Sequence, residues 1–189
     1  MSKHGEILES GALRFVRDLP GPIERVWTWL ADPEKRKLWL ADGDTDGRVG
    51  GKMQLSFDNE SLTPHDDPTA AACEEEAIAD GHSTEFTCEI LIWDPPHKLS
   101  IAWPNRHGGA DEVSFVLTEH EGAVRLTLIH HGLSDPVDLI GASAGWHGHL
   151  AIMADKLAGQ IPAEGFWTAH RALEDVYRER FAETLKTLS

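Results

Sequence analysis

Residues 141–160 read GASAGWHGHLAIMADKLAGQ, and the fold follows from how this stretch is buried. Apolar residues recurring every three to four positions mark a helix. At about 100° per residue, Trp146, Leu150, Met153 and Leu157 fall on one stripe, and His149 flanks it. A second stripe carries only small side chains: Ala144, Ala151, Ala154 and Ala158. Asp155, Lys156 and the glycines are expected to face water. The large stripe can fill a concave sheet, and the alanine stripe lets another element approach closely. A helix of this kind needs partners on two sides.

The chain on either side supplies candidates. Before the helix come four predicted strands: Thr84–Trp93, Lys98–Trp103, Glu112–Thr118 and Ala123–His131. Asp94–Pro95–Pro96 and Glu121–Gly122 provide two of the turns. Val113, Phe115 and Leu117 share one face of their strand, and Val124, Leu126, Leu128 and His130 one face of theirs. Hairpins in series imply an antiparallel sheet with one face covered. After the helix, Ile161–Pro162 breaks the pattern. Phe166, His170, Leu173, Tyr177 and Phe181 then repeat at helical spacing, flanked by Val176 and Leu185. This predicts a second amphipathic helix of about 20 residues that packs on the first or on the outer face of the sheet, with a partner-binding helix as the alternative.

Towards the N-terminus, Gly11–Asp18 alternates as a strand with Leu13 and Phe15 on one face. Pro22 suits the start of a short helix over Ile23–Ala31. Asp32 suits the N-cap of another, with Lys35, Arg36 and Lys37 outward and an end near Trp39. Lys52–Phe57 reads as a further strand. Asp58–Gly81 departs from this regularity. It holds eight acidic residues and no Lys or Arg, and is read as a solvated insertion with a helical turn or two around Thr69–Ala79. A lid over a site is the sharper reading of the same passage.

Composition excludes several functions. The chain has 189 residues, 32 acidic and 17 basic, for a net charge of −15. Nucleic acid and anionic membranes both reward clustered Lys and Arg, so neither is expected as a partner. Cys73 and Cys88 form no CxxC pair and read as free thiols of a reducing, cytoplasmic protein. The start, MSKHGEILESG, has no apolar core of a secretory signal. No run approaches the roughly 18 apolar residues of a membrane span.

Several motifs resemble a known superfamily. IERVWTWLADPEKRKLWL (residues 23–40) is similar to the N-terminal signature of the SRPBCC, START-like proteins. GRVGGKMQLSF, ILIWDPPHKLSIAW, EVSFVLTEHEGAVRLTLIHHGL and GWHGHLAIMADKLAG resemble one branch of that superfamily. That branch is typified by the C-terminal domain of the activator of the ninety-kilodalton heat-shock chaperone ATPase. The resemblance covers roughly residues 11–160, and FWTAHRALEDVYRERF is similar to an extension in some bacterial members. It implies an α+β helix-grip fold, a curved antiparallel sheet around a long helix, with an extra C-terminal helix. Residues 1–162 would form this domain, with the insertion at 58–81, and 163–189 an extension packed on it. The superfamily includes lipid and hormone carriers, polyketide cyclases and oxygenase domains.

Motifs for catalysis are weak. There is no GxSxG elbow and no HExxH pair for zinc. His130 and His131 alternate across a strand, and His147 and His149 lie about 200° apart on a helix. Only His130 with His149 could meet across elements, and two ligands make a poor metal site. No metal, cofactor or catalytic set is therefore expected. Gly47–Gly51 lacks GK[ST] and reads as turn positions. Glu85 and Glu89 share a strand face opposite Phe86, Cys88 and Ile90, so both acids are expected outside.

The favoured reading is binding of a small, mostly apolar molecule between sheet and helix. The expected lining is His130, Trp146, His149, Leu150, Met153, Trp103, Phe115 and Leu128. A polar His130 in an apolar cavity needs a partner, such as a backbone carbonyl, His149 or a ligand oxygen. The alternatives are a partner protein that stimulates a heat-shock chaperone ATPase, and a cavity enzyme of cyclase or hydrolase type. The chain would act as a monomer or homodimer.

Overall fold

Alternation of apolar and polar side chains builds a seven-stranded antiparallel sheet. Its strands are β1 (Glu6–Ile7), β2 (Leu13–Leu19), β3 (Lys52–Ser56), β4 (Glu85–Asp94), β5 (Lys98–Pro104), β6 (Ala110–His120) and β7 (Ala123–His131). Their order across the sheet is β1-β2-β7-β6-β5-β4-β3. The computed structural model describes residues 3–64 and 84–188. The part of the acidic passage from 65 to 81, its expected turn around Thr69–Ala79 and Cys73 lie outside the described residues. The strands match the sequence reading closely, except that β6 is longer at both ends and the two-residue edge strand β1 was not anticipated.

In β2, β6 and β7 alternate residues turn inward: Leu13, Phe15 and Leu19, then Val113, Phe115 and Leu117, then Val124, Leu126, Leu128 and His130, all buried. Pairing sets Leu13 opposite His130 and Phe15 opposite Leu128, and Val113 opposite His130. Across this face lies the long helix α3 (Pro136–Leu157), which follows β7, while two short helices, α1 (Ile23–Ala31) and α2 (Pro33–Arg36), link β2 to β3. Trp146, Leu150, Met153 and Leu157 are all buried as the stripe requires.

Helix α3 starts five residues earlier than the first glycine suggested. Asp135 caps it, accepting from the backbone N–H groups of Val137 at 2.8 Å and Asp138 at 3.3 Å, and Pro136 occupies the first turn, where its missing N–H costs nothing. The C-terminal segment forms α4 (Phe166–Arg180) and α5 (Ala182–Leu188) rather than one helix, with the break at Phe181.

Several surface expectations fail. The alanine stripe is not uniformly covered: Ala144 is buried, Ala154 half-buried, and Ala151 and Ala158 exposed. Helix α4 instead crosses α3 over Gly148, which is buried, and a methyl group there would meet the Phe166 ring at 3.2 Å. Lys156 is half-buried and donates to the Leu38 carbonyl at 2.6 Å. Arg36 points inward, not out. Residues 43–45 fold back over α2, so its guanidinium donates to Thr45 Oγ1 at 2.7 Å, to the Gly43 carbonyl and to the Gln54 carbonyl at 3.3 Å. Val176, expected to flank the packed stripe of α4, is among the exposed large apolar residues.

Candidate functional site

The inner face of β7 ends on His130, directly below the middle of α3. There the Trp146 indole N–H donates to His130 Nδ1 at 3.1 Å. An indole nitrogen only donates, so Nδ1 is bare and the neutral ring carries its proton on Nε2. That nitrogen lies 3.5 Å from Asp111 Oδ2, an electrostatic contact rather than an aligned hydrogen bond. Asp111 Oδ1 in turn accepts from the Asn105 amide at 2.8 Å. His130 and then Asn105 hold the Asp111 carboxyl below its ordinary range, against the opposing effect of burial. Gly132 closes over this group with φ +96°. A Cβ there would fall 2.5 Å from Asp111 Oδ1, so a glycine is required.

The partner of His130 is therefore neither a backbone carbonyl nor His149. His149 is engaged elsewhere, with Nδ1 2.7 Å from the Trp39 carbonyl. A carbonyl only accepts, so Nδ1 carries the proton there. Burial pushes the His149 imidazole down to about 4, only partly offset by the Trp39 bond. The two histidines expected as a cross-element pair are thus held on different groups. His147 faces away from both and meets the Tyr177 hydroxyl at 2.9 Å.

An aromatic chain leads from this polar pair to the outside. Trp146 contacts Phe115 at 5.8 Å and Trp103 at 5.1 Å between ring centroids. Trp103 contacts Phe86 at 4.9 Å, and Phe57 lies 6.1 Å from Trp103. Phe57 also faces His149 at 6.2 Å, with Phe166 on another side of that imidazole at 4.6 Å. Phe57, Phe86 and Trp103 are only half-buried, whereas Trp146 and Phe115 are buried. Among the expected lining residues, His130, Trp146, Trp103, Phe115 and His149 meet in this cluster. Leu128, Leu150 and Met153 are sealed in the core beside it.

Sequence reading missed Asp111, Asn105, Phe57, Phe86 and Phe166 as members of the group. Asp111 fell one residue outside the predicted strand. The signal was available in register: Val113 pairs with His130, and Asp111 lies two residues away on the same face. Chemically, both ring nitrogens of His130 are committed, one to the indole and one towards a carboxylate. No lone pair is left to take a proton from a substrate, so the arrangement suits a fixed polar anchor rather than a general base. Ser100 and Ser114 hydroxyls lie 2.6 Å apart, and Ser114 donates to Glu112. No group of three or more His, Cys, Asp or Glu side chains among the described residues is arranged to hold a metal ion.

A curved antiparallel sheet gripping a long helix defines the SRPBCC, START-like class of proteins. Residues 20–158 match the family described as Activator of Hsp90 ATPase homolog 1-like protein, and the chain belongs to that family. It is similar to a Bordetella parapertussis protein solved by NMR, at 38% identity and TM-score 0.74 over 94% of this chain and 90% of that one. It also resembles CalU16 from Micromonospora echinospora, at 19% identity and TM-score 0.64 over 93% of each chain. The Aha1 dimer from Colwellia psychrerythraea aligns at 14% identity and TM-score 0.56 over 77% of this chain and 95% of that one. No curated protein matches the chain. Among the described residues no helix is long and apolar enough to cross a membrane.

Proposed function

We propose that this protein binds a small, mostly apolar molecule at the aromatic mouth between the sheet and α3. The observation that carries the reading is Trp103, half-buried, with its ring at the meeting point of Phe57, Phe86 and Trp146. Clustered aromatic rings at a mouth offer large apolar area at little conformational cost. His130, with its proton fixed on Nε2 by Trp146, supplies a polar group beneath them. Such sites combine an apolar lining with few placed polar groups.

The test is titration of an apolar fluorescent probe, 8-anilinonaphthalene-1-sulfonate, followed by probe emission and tryptophan quenching. Trp103→Ala should weaken binding about tenfold, equivalent to about 1.4 kcal/mol, and His130→Gln should weaken it less. Folded variants that both bind as wild type does would overturn the proposal. Native mass spectrometry of the purified protein should show a co-purifying small molecule.

A second reading is supported by the family description, which concerns the activation of a chaperone ATPase. In that reading the chain contacts a heat-shock chaperone, and a pull-down with stimulation of its ATPase separates it from the first. The Colwellia neighbour is described as a dimer, which supports a homodimer here, and the same mass spectra report it.

A further inference from the structure

A second cluster lies on the opposite side of α3, where the N-terminal segment, β2 and α4 meet. Its centre is Tyr177, fully buried in α4. Its hydroxyl accepts from the Gly5 N–H at 2.8 Å and lies 2.9 Å from His147 Nδ1. While accepting from Gly5 the hydroxyl can donate its own proton to Nδ1, and in that tautomer the His147 proton sits on Nε2. His4 stands edge-on to His147 at 5.2 Å and to Tyr177 at 6.2 Å. The Phe15 ring floors the group, 6.2 Å from both His147 and Tyr177.

Arg17 is the anomaly. It lies on the inward face of β2 with 8% of its surface exposed. Its guanidinium carbon sits 5.5 Å from the Phe15 centroid. One nitrogen donates to the Val16 carbonyl at 3.0 Å, and Nη2 has no partner. Several arginines here have carboxylates: Arg14 has Glu6, Arg106 has Asp138, Arg125 has Asp18 and Arg178 has Glu174 and Asp175; buried Arg36 has none but spreads its guanidinium over Thr45 and two backbone carbonyls, where Arg17 reaches one. Among the described residues no carboxylate lies in salt-bridge range of Arg17, Arg180 or Lys3. Burial first, and then Arg17, His4, Lys3 and Arg180, hold the His147 imidazole low, and the charges acting on it are all basic. A buried cation without a counter-charge is costly. Arg17, Lys3 and Arg180 thus bring positive charge to His147 with no carboxylate paired to any of the three, in a chain of net charge −15.

We infer that this junction of Lys3, His4, Arg17, His147 and Arg180 is a binding site for a small oxyanion, a phosphate or carboxylate group. The anion sits against the outer groups, His4, His147 Nε2–H, Lys3 and Arg180, and supplies the counter-charge that buried Arg17 lacks. Tyr177 positions His147 so that its N–H donor faces away from the hydroxyl. The site is independent of the aromatic mouth and does not rest on that reading.

The experiment is calorimetric titration of the full chain with sodium phosphate and, separately, sodium acetate at constant ionic strength in chloride. Histidine imidazole resonances are followed in parallel. Wild type should bind phosphate saturably, with shifts confined to His4 and His147. Binding of phosphate alone marks a dianion site, and binding of both marks one that also takes carboxylates. Arg180→Gln, an exposed change that leaves the core intact, and Arg17→Met should each weaken binding on the order of tenfold. Lys52→Gln, on the far edge of the sheet, should leave it unchanged. If Arg17→Met does not fold, Arg180→Gln against Lys52→Gln decides. No saturable binding of either anion beyond the chloride control would overturn the inference. So would Arg180→Gln binding as wild type does, or shifts falling on other histidines.

Discussion

His149 gives the fold a pH dependence whose sign and window follow from its surroundings. The imidazole is walled by Phe166 at 4.6 Å, Phe57 at 6.2 Å and Trp146 at 6.5 Å. Nδ1–H already donates to the Trp39 carbonyl, so a second proton would land on Nε2 among these rings and bring no new partner. Burial therefore sets the folded imidazole at about 4, against 6.5 for the ordinary ring. Above pH 6.5 both folded and unfolded states hold neutral imidazole, and His149 contributes no slope. Between pH 6.5 and 4 the unfolded chain takes up a proton that the folded one refuses, so stability falls as pH falls. At about 1.4 kcal/mol for each tenfold change in proton affinity, the loss by pH 4 is about 3 kcal/mol. Below that it levels off. Asp18 and Asp111, held below the ordinary carboxylate range, add their own losses only at still lower pH. His147, also about 4, contributes in the same sense. Urea unfolding of wild type and His149→Asn at half-unit steps from pH 7.5 to 4.5 isolates the effect, because every other group cancels in the difference. The stability advantage of wild type over the variant should shrink by about 2 kcal/mol across that range. A difference that stays constant with pH would refute the argument.

Trp146→Phe keeps most of the ring packing and removes the donor to His130 Nδ1. It should cost about 1–3 kcal/mol, the penalty of a buried acceptor left without a partner, and should release the His130 tautomer, read from its ring nitrogen chemical shifts; an unchanged Nε2–H tautomer would show that Asp111 alone sets it. Ala144→Glu and Ala158→Glu test the two ends of the alanine stripe of α3. The first places a charge where no surface is exposed and should destabilise by about 3 kcal/mol or more, while the second, already in water, should stay within about 0.5 kcal/mol in chemical denaturation.

The sheet was legible because strand alternation survives in sequence wherever one face is covered. Val124, Leu126, Leu128 and His130 announce their common face, and their strand bounds hold to the residue. Helix α1 likewise keeps its expected bounds, since Ile23, Val26, Trp27 and Leu30 have only one buried arrangement. What failed depends on contacts made by distant segments. Arg36 reads as a surface charge on a short helix until the carbonyls of Gly43 and Gln54 arrive to meet it. The alanine stripe reads as a packing groove, yet α4 is steered to Gly148, where the missing side chain admits the Phe166 ring. Small residues permit close approach without saying which of two small-residue faces will be used.

The candidate site divides along the same line. His130 and Trp146 were visible because each belongs to a periodic stripe, and their meeting follows from β7 running straight into α3. The direction of the proton between them was not visible. It follows from one fact of geometry, that the donor reaching Nδ1 is an indole, which has no lone pair to offer in return. Once Nδ1 is an acceptor, Nε2 must donate, and the carboxylate facing it at 3.5 Å is Asp111, a residue at the edge of its strand. Had the neighbour of Nδ1 been a serine hydroxyl, the same histidine and aspartate would have formed a base able to activate it. The identity of residue 146 thus turns a constellation resembling a catalytic set into a fixed polar anchor, which is why the ligand-binding reading stands ahead of the enzymatic one.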